Sequence, residues 1–160
     1  MTLRTAADTT TGEIDAALLS VARVMNQVRV HAKLRADAGV EIDRAGAAVL
    51  YKLLVESESL RLRDLAERLG IDSPAVTRKV QQLEQLGLVA RSADPEDGRA
   101  SRLVLTGEGR RTIERLLAAR RLWLEDLLAE WPAADRRSFA HLLQLFASTI
   151  EHDVELRHGH

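Results

Sequence analysis

Between residues 73 and 83 the chain places Val76, Val80 and Leu83 at helical spacing and polar groups between them. If those three side chains are buried, the opposite face presents Pro74, Thr77, Arg78, Gln81 and Gln82, with Ala75 and Lys79 at its flanks and Ser73 at its start. An arginine can donate two parallel hydrogen bonds to a guanine edge, and a glutamine can pair with adenine. A threonine can reach a phosphate or touch a thymine methyl. Such a face suits a helix lying in a DNA major groove. The plain alternative is a solvated polar face, which is common on surface helices.

Further along, Arg99 follows Gly98 in the polar stretch Ser92 to Ser101, between the short segments Leu88–Arg91 and Arg102–Leu105. Two short, partly β-branched segments around a Pro- and Gly-bearing loop predict a hairpin with a long tip. A guanidinium there can enter a narrow minor groove. Asp94 and Asp97 are poor ligands for DNA and better partners for Arg91, Arg99 or Arg102. A charged surface turn is again the plain alternative.

These groups need elements to hold them. Leu62–Leu69 predicts a short helix stopped by Gly70, and Pro74–Leu86 predicts a second, with Ser73 as N-cap and Gly87 as terminator. Ala66 is small where two helices must cross, and Gly70 can adopt the positive φ of a tight turn. Upstream, Ile14, Leu18, Val21, Met25, Val28 and Ala32 form a seam along one helix from about residue 13 to 37. A further helix, about 44 to 56, has Asp43 as its cap. After Thr106 a long helix reaches about Trp131, and a last one carries Phe139, Leu142, Leu143, Phe146 and Ile150.

The expected fold is therefore mostly α with a small β-hairpin: a winged helix–turn–helix flanked by N- and C-terminal dimerisation helices. Residues 43–106 form the reader, 13–42 and 107–154 the dimerisation helices, 1–12 a mobile arm and 155–160 a flexible tail. The terminal seams are too long and apolar for one monomer of this size to cover, which predicts a homodimer.

Composition narrows the classes. No cysteine occurs, so disulfides, thiolate metal sites and thiol redox sensing are excluded. Aromatic residues are 3%, too few for a surface that stacks single-stranded bases. No apolar run approaches the roughly 18 residues of a membrane span, and the N-terminus lacks a signal-peptide core, so a cytoplasmic location is expected. The net charge of -1 speaks against a protein that coats nucleic acid. Residues 61–105 carry eight cations against seven acids, so any DNA specificity must come from placement of a few contacts.

Taken in order, Leu65–Ile71, Val76–Val80, Leu83–Val89, Asp94–Arg99 and Leu105–Gly109 resemble the MarR family of bacterial transcriptional regulators. The LExxGLV step, the DPxDGR wing and the LTxxG turn together carry the resemblance. It implies a winged helix–turn–helix homodimer on the double-stranded DNA of a pseudo-palindromic operator, usually a repressor released by a small molecule. It further implies that Ser73, Thr77, Arg78 and Gln81 read the major groove, with Lys79 and Arg91 on phosphates. Arg99 would occupy the wing tip, positioned by Asp97. Where many members have a glutamine and an aromatic residue near the start of the second helix, this chain has Arg44-Ala45-Gly46-Ala47, which predicts either a roomier pocket or none.

The family's effector pocket lies between the dimer region and the reader. Its candidates here are Met25, Asn26, Arg29, Tyr51 and Trp123, each of which has an ordinary packing or solvated role as alternative. An arginine in an apolar cleft would favour an anionic, often aromatic, effector. His141 and His152 are eleven residues apart, about three helical turns, too far to share an ion. No metal or cofactor is expected. No Gly-rich phosphate loop, HExxH pair or nucleophile elbow occurs, so an enzyme is not expected. A helical protein-interaction dimer and a metal-responsive regulator stand as alternatives.

Overall fold

Local chemistry sets the boundaries of the central elements in the computed structural model, which describes residues 2–56, 59–94 and 101–158. The chain divides into two compact units, one ending at Arg120 and the other starting at Arg121. The first unit holds α1 (Thr2–Met25), α2 (Val28–Ala38), α3 (Arg44–Val55), β1 (Leu60–Arg61), α4 (Leu62–Leu69), α5 (Ser73–Gln85), β2 (Val89–Ala93) and β3 (Ser101–Leu105). Helix α6 (Gly107–Leu127) contains the boundary, and α7 (Ala133–His158) lies in the second unit.

Helices α4 and α5 form the helix–turn–helix. Gly70 turns the chain between them at φ 62°, a conformation that strains any residue with a Cβ. Leu65 and Ala66 of α4 pack with Val76, Val80 and Leu83 of α5 in a core that also takes Val49, Leu50 and Leu53 from α3. The cap of α5 is Asp72 rather than the expected Ser73: its carboxylate accepts from the Ala75 N–H at 2.8 Å. The acid one residue earlier takes the capping position, and Ser73 and Pro74 become the first helical residues.

Strands β2 and β3 pair antiparallel, from Val89 opposite Leu105 to Ala93 opposite Ser101. The two-residue β1 adds to the other edge of β3, giving the order β1-β3-β2. This third strand is too short to leave a periodic signal in the sequence. Leu103, the central residue of β3, is fully buried and ties the sheet to the helical core. The start of α6 sits against the same unit. Thr106 Oγ1 donates to the Gly87 carbonyl at 2.7 Å and accepts from the Gly109 N–H at 2.9 Å. A Cβ on Gly109 would lie 1.9 Å from the Leu88 carbonyl oxygen, so this position accepts glycine alone without rearrangement.

The termini differ from expectation. The seam helix is two helices: the backbone becomes extended at Gln27, and α2 starts anew at Val28. Neither proline nor glycine stands there, so no local signal marks the break. Backbone expected to be a mobile arm is helical from Thr2, and α7 continues to His158 where a frayed tail is expected from residue 155. Between Thr2 and Thr11 there is no proline or glycine to stop a helix. In the second unit, the apolar side chains of α7 are exposed, and Trp131 and Phe139 make a tilted ring contact at 5.6 Å.

Candidate nucleic-acid interface

The buried side chains of α5 determine which residues it presents. With Val76, Val80 and Leu83 inside, Ser73, Pro74, Arg78, Gln81 and Gln82 are exposed, and Ala75, Thr77 and Lys79 lie partly buried at the edge of that face. Among the described residues, Arg78 and Gln81 make no side-chain hydrogen bond or ion pair. Both are therefore available to an external partner. Thr77 differs: its hydroxyl donates to the Ser73 carbonyl one turn back, at 2.7 Å.

Lys79 is also engaged. Its ammonium donates to Asp43 Oδ2 at 2.5 Å and to Gln82 Oε1 at 2.8 Å, and its side chain is only 18% exposed. Arg91, expected on a phosphate, instead pairs with Glu84 of α5 at 2.9 Å and donates to Ser101 Oγ at 3.1 Å. Arg91 thus joins the end of α5 to both strands of the hairpin. Asp97 and Arg99 lie outside the described residues.

The loop end of the hairpin holds a buried charge cluster. Asp94 has no exposed side-chain surface, and its Oδ2 accepts from Arg61 Nε at 2.6 Å and Arg102 Nε at 3.1 Å. Arg102 also donates to the Ser59 carbonyl. One carboxylate between two guanidiniums links β1 to the loop end of both hairpin strands. Its removal would leave two cations facing each other at partial burial. Asp94 is thus a partner of Arg102, one of the pairings its type suggested, and Arg61 is the partner that sequence reasoning missed.

A second concavity opens within the first unit, a cleft of about 220 Å³ between α1, α2, α3 and α6. Its walls are mostly apolar, with Met25, Leu34, Tyr51 and Ile113 among them, and it is edged by Arg35, Arg44 and Arg120. Among the described residues none of these three guanidiniums has an ion pair or hydrogen bond. The small side chains of Ala47 and Ala48 leave the space open at the stretch where the chain departs from the usual family pattern. Of the expected effector residues, Met25 and Tyr51 line the cleft. Asn26 and Arg29 do not, and Arg29 Nε instead donates to Gln27 Oε1. Trp123 belongs to the second unit.

His31 also lines the cleft, and its Nε2 is buried without a partner. Burial lowers the imidazole below its ordinary value, the positive fields of Arg44, Arg35 and Arg120 push the same way, and a bond to the Met25 backbone opposes them. These influences together favour the neutral ring. His31 and Arg35 stand one helical turn apart, a spacing legible in sequence. Arg44 and Arg120 come from other helices, and spacing does not bring the three helices together. Among the described residues no group of acidic and histidine side chains could hold a metal ion, and no helix is long and apolar enough to cross a membrane.

Comparison with known proteins agrees with this geometry. The model of the MarR family matches residues 48–101. The HTH-type transcriptional regulator YdgJ of Bacillus subtilis (strain 168) is 32% identical over 136 residues, which cover 85% of this chain and 80% of that protein. A MarR family protein from Bacillus stearothermophilus shares the fold with a TM-score of 0.78 at 21% identity, over 90% of this chain and 97% of that one. The regulator PcaV of Streptomyces coelicolor, solved in complex with its natural ligand, matches with a TM-score of 0.57 at 30% identity, over 80% and 89% of the two chains. The family these matches define is one of DNA-binding transcriptional regulators rather than enzymes. The chain belongs to the MarR family.

Proposed function

We propose that this chain acts as a cytoplasmic homodimer that represses transcription from a pseudo-palindromic operator. One α5 enters the major groove of each half-site, and the hairpin reaches the flanking minor groove. The observation that carries this reading is the outer face of α5, fixed by fully buried Val80 and Leu83 and presenting Arg78 without a partner. Arg78 is the base reader, Gln81 and Gln82 flank it, and Ser73 sits where the helix meets the backbone of the duplex. The apolar faces of α1 and α7 form the subunit interface.

The cleft takes the effector. Three unpaired guanidiniums around apolar walls suit a small apolar anion, such as an aromatic carboxylate, with the charge at Arg35, Arg44 or Arg120 and the ring against Tyr51 and Met25. PcaV, solved with its natural ligand, supports ligand control in a relative. The reading is tested by titrating the protein against its own upstream DNA and against random duplex at two salt concentrations. A preference for the upstream DNA that aromatic acids weaken is the expected result. Equal affinity for both duplexes contradicts sequence-specific regulation.

A further inference from the structure

Lys79 stands at the edge of the reading face, yet its charge is already answered from inside the chain. Asp43 divides its carboxylate between two tasks: Oδ1 accepts the Gly46 N–H at 2.8 Å and caps α3, while Oδ2 accepts Lys79 of α5 at 2.5 Å. Gln82 Oε1 accepts a second hydrogen bond from the Lys79 ammonium. The helices are close here. A Cβ on Gly46 would lie 3.3 Å from Leu83 Cδ2, so the start of α3 rests directly on α5.

We propose that Asp43 occupies Lys79 in place of a DNA phosphate and thereby limits the sequence-independent part of the protein's affinity for DNA. The inference rests on the reading of α5 as the DNA-contacting helix. A carboxylate oxygen and a phosphate oxygen offer an ammonium the same charge-assisted bond, so the two compete for one cation. Asp43 is preorganised for that competition because its other oxygen is held by the cap. Burial pushes its carboxyl up, but the bonds from Lys79 and the Gly46 N–H and the fields of Lys79 and Arg35 outweigh this and hold it below the ordinary carboxylate range. The group therefore stays charged at neutral pH. With Lys79 withheld, the reading face keeps Arg78 as its one unpaired cation among the described residues of α5. That agrees with a reader whose charge is nearly balanced.

The test is Asp43→Asn, which removes the charge but keeps a side-chain oxygen for the cap, since Asn caps helices as well as Asp. Binding to a random-sequence duplex is measured by fluorescence anisotropy between about 50 and about 200 mM salt. Freeing one lysine should steepen the salt dependence by about 0.9 per protomer, a further loss of about 3.5-fold per protomer across that range, with tighter binding at the low end. Asp43→Asn combined with Lys79→Gln should return to the wild-type slope. Glu41→Gln, which makes the same charge change on an exposed side chain, should not steepen it. If Asp43→Asn leaves affinity and slope unchanged, or the gain survives Lys79→Gln, the inference is overturned while the DNA reader stands. If no variant binds DNA at all, it is the reading of α5 that fails.

Discussion

The central reader and the terminal helices treat their apolar residues in opposite ways. In the reader, Leu65, Val80 and Leu103 are fully buried among side chains of the same unit. Along α7, Leu142 is 60% exposed and Leu145 58% exposed, with Phe139, Phe146 and Ile150 also open. Both regions are helical and comparably rich in leucine, so composition does not separate them. The reader closes its core with α3, α4, α5 and a sheet of three strands, joined by Ile113 from the start of α6. The terminal helices leave apolar faces that water meets unless another surface covers them. One part of the chain closes a core within itself, and the other leaves apolar side chains exposed that the proposed homodimer would cover.

That contrast can be broken most strongly from the reader's side. Leu103→Ala opens a void under the centre of β3 and should cost about 2–5 kcal/mol in urea unfolding. A loss well below this range would mean that the core is less self-contained than its burial indicates. From the other side, Phe146→Asp should leave the reader folded, with its circular dichroism intact. It should weaken the subunit interface by about 2 kcal/mol, roughly 30-fold in dissociation constant, as read by sedimentation. A dimer of undiminished affinity would remove α7 from the interface. The smallest effect sharpens the point that local chemistry sets the reader's boundaries. Asp72→Ala should cost about 1 kcal/mol, whereas Ser73→Ala, outside the cap, should cost far less.

Much of the reader is legible in the sequence because its rules are local. Gly70 and Gly87 take the left-handed conformation expected of helix ends, at φ 62° and 69°. The apolar spacing of Val76, Val80 and Leu83 identifies the face that points inward, and hence the face that points out. What sequence does not reveal is the pairing of charges across the fold. Lys79 with Asp43, Arg91 with Glu84, and Asp94 with Arg61 all depend on how elements pack, and each takes a group that residue type alone offers to DNA or to a neighbour. The cleft is hidden for the same reason. Its cations come from α2, α3 and α6, and periodicity groups each with lining residues of its own helix, as Arg44 with Tyr51 and Arg120 with Ile113, but does not bring the three helices together.

The cap of α5 shows a finer limit. Asp72 and Ser73 are both good capping residues, and only the backbone bend at Asp72, φ -60° and ψ 146°, selects between them. The break at Gln27 has no sequence signal, so a seam that reads as one helix folds as two.

The central claim is that α5 reads base edges through Arg78, and it is tested most directly by comparing wild type with Arg78→Ala on the upstream DNA and on random duplex. Loss of a bidentate base contact should cost about 1–3 kcal/mol on the upstream DNA and much less on the random duplex, so the ratio of the two affinities falls. A ratio unchanged by Arg78→Ala, with both affinities lowered alike, would make Arg78 a phosphate contact and contradict the account.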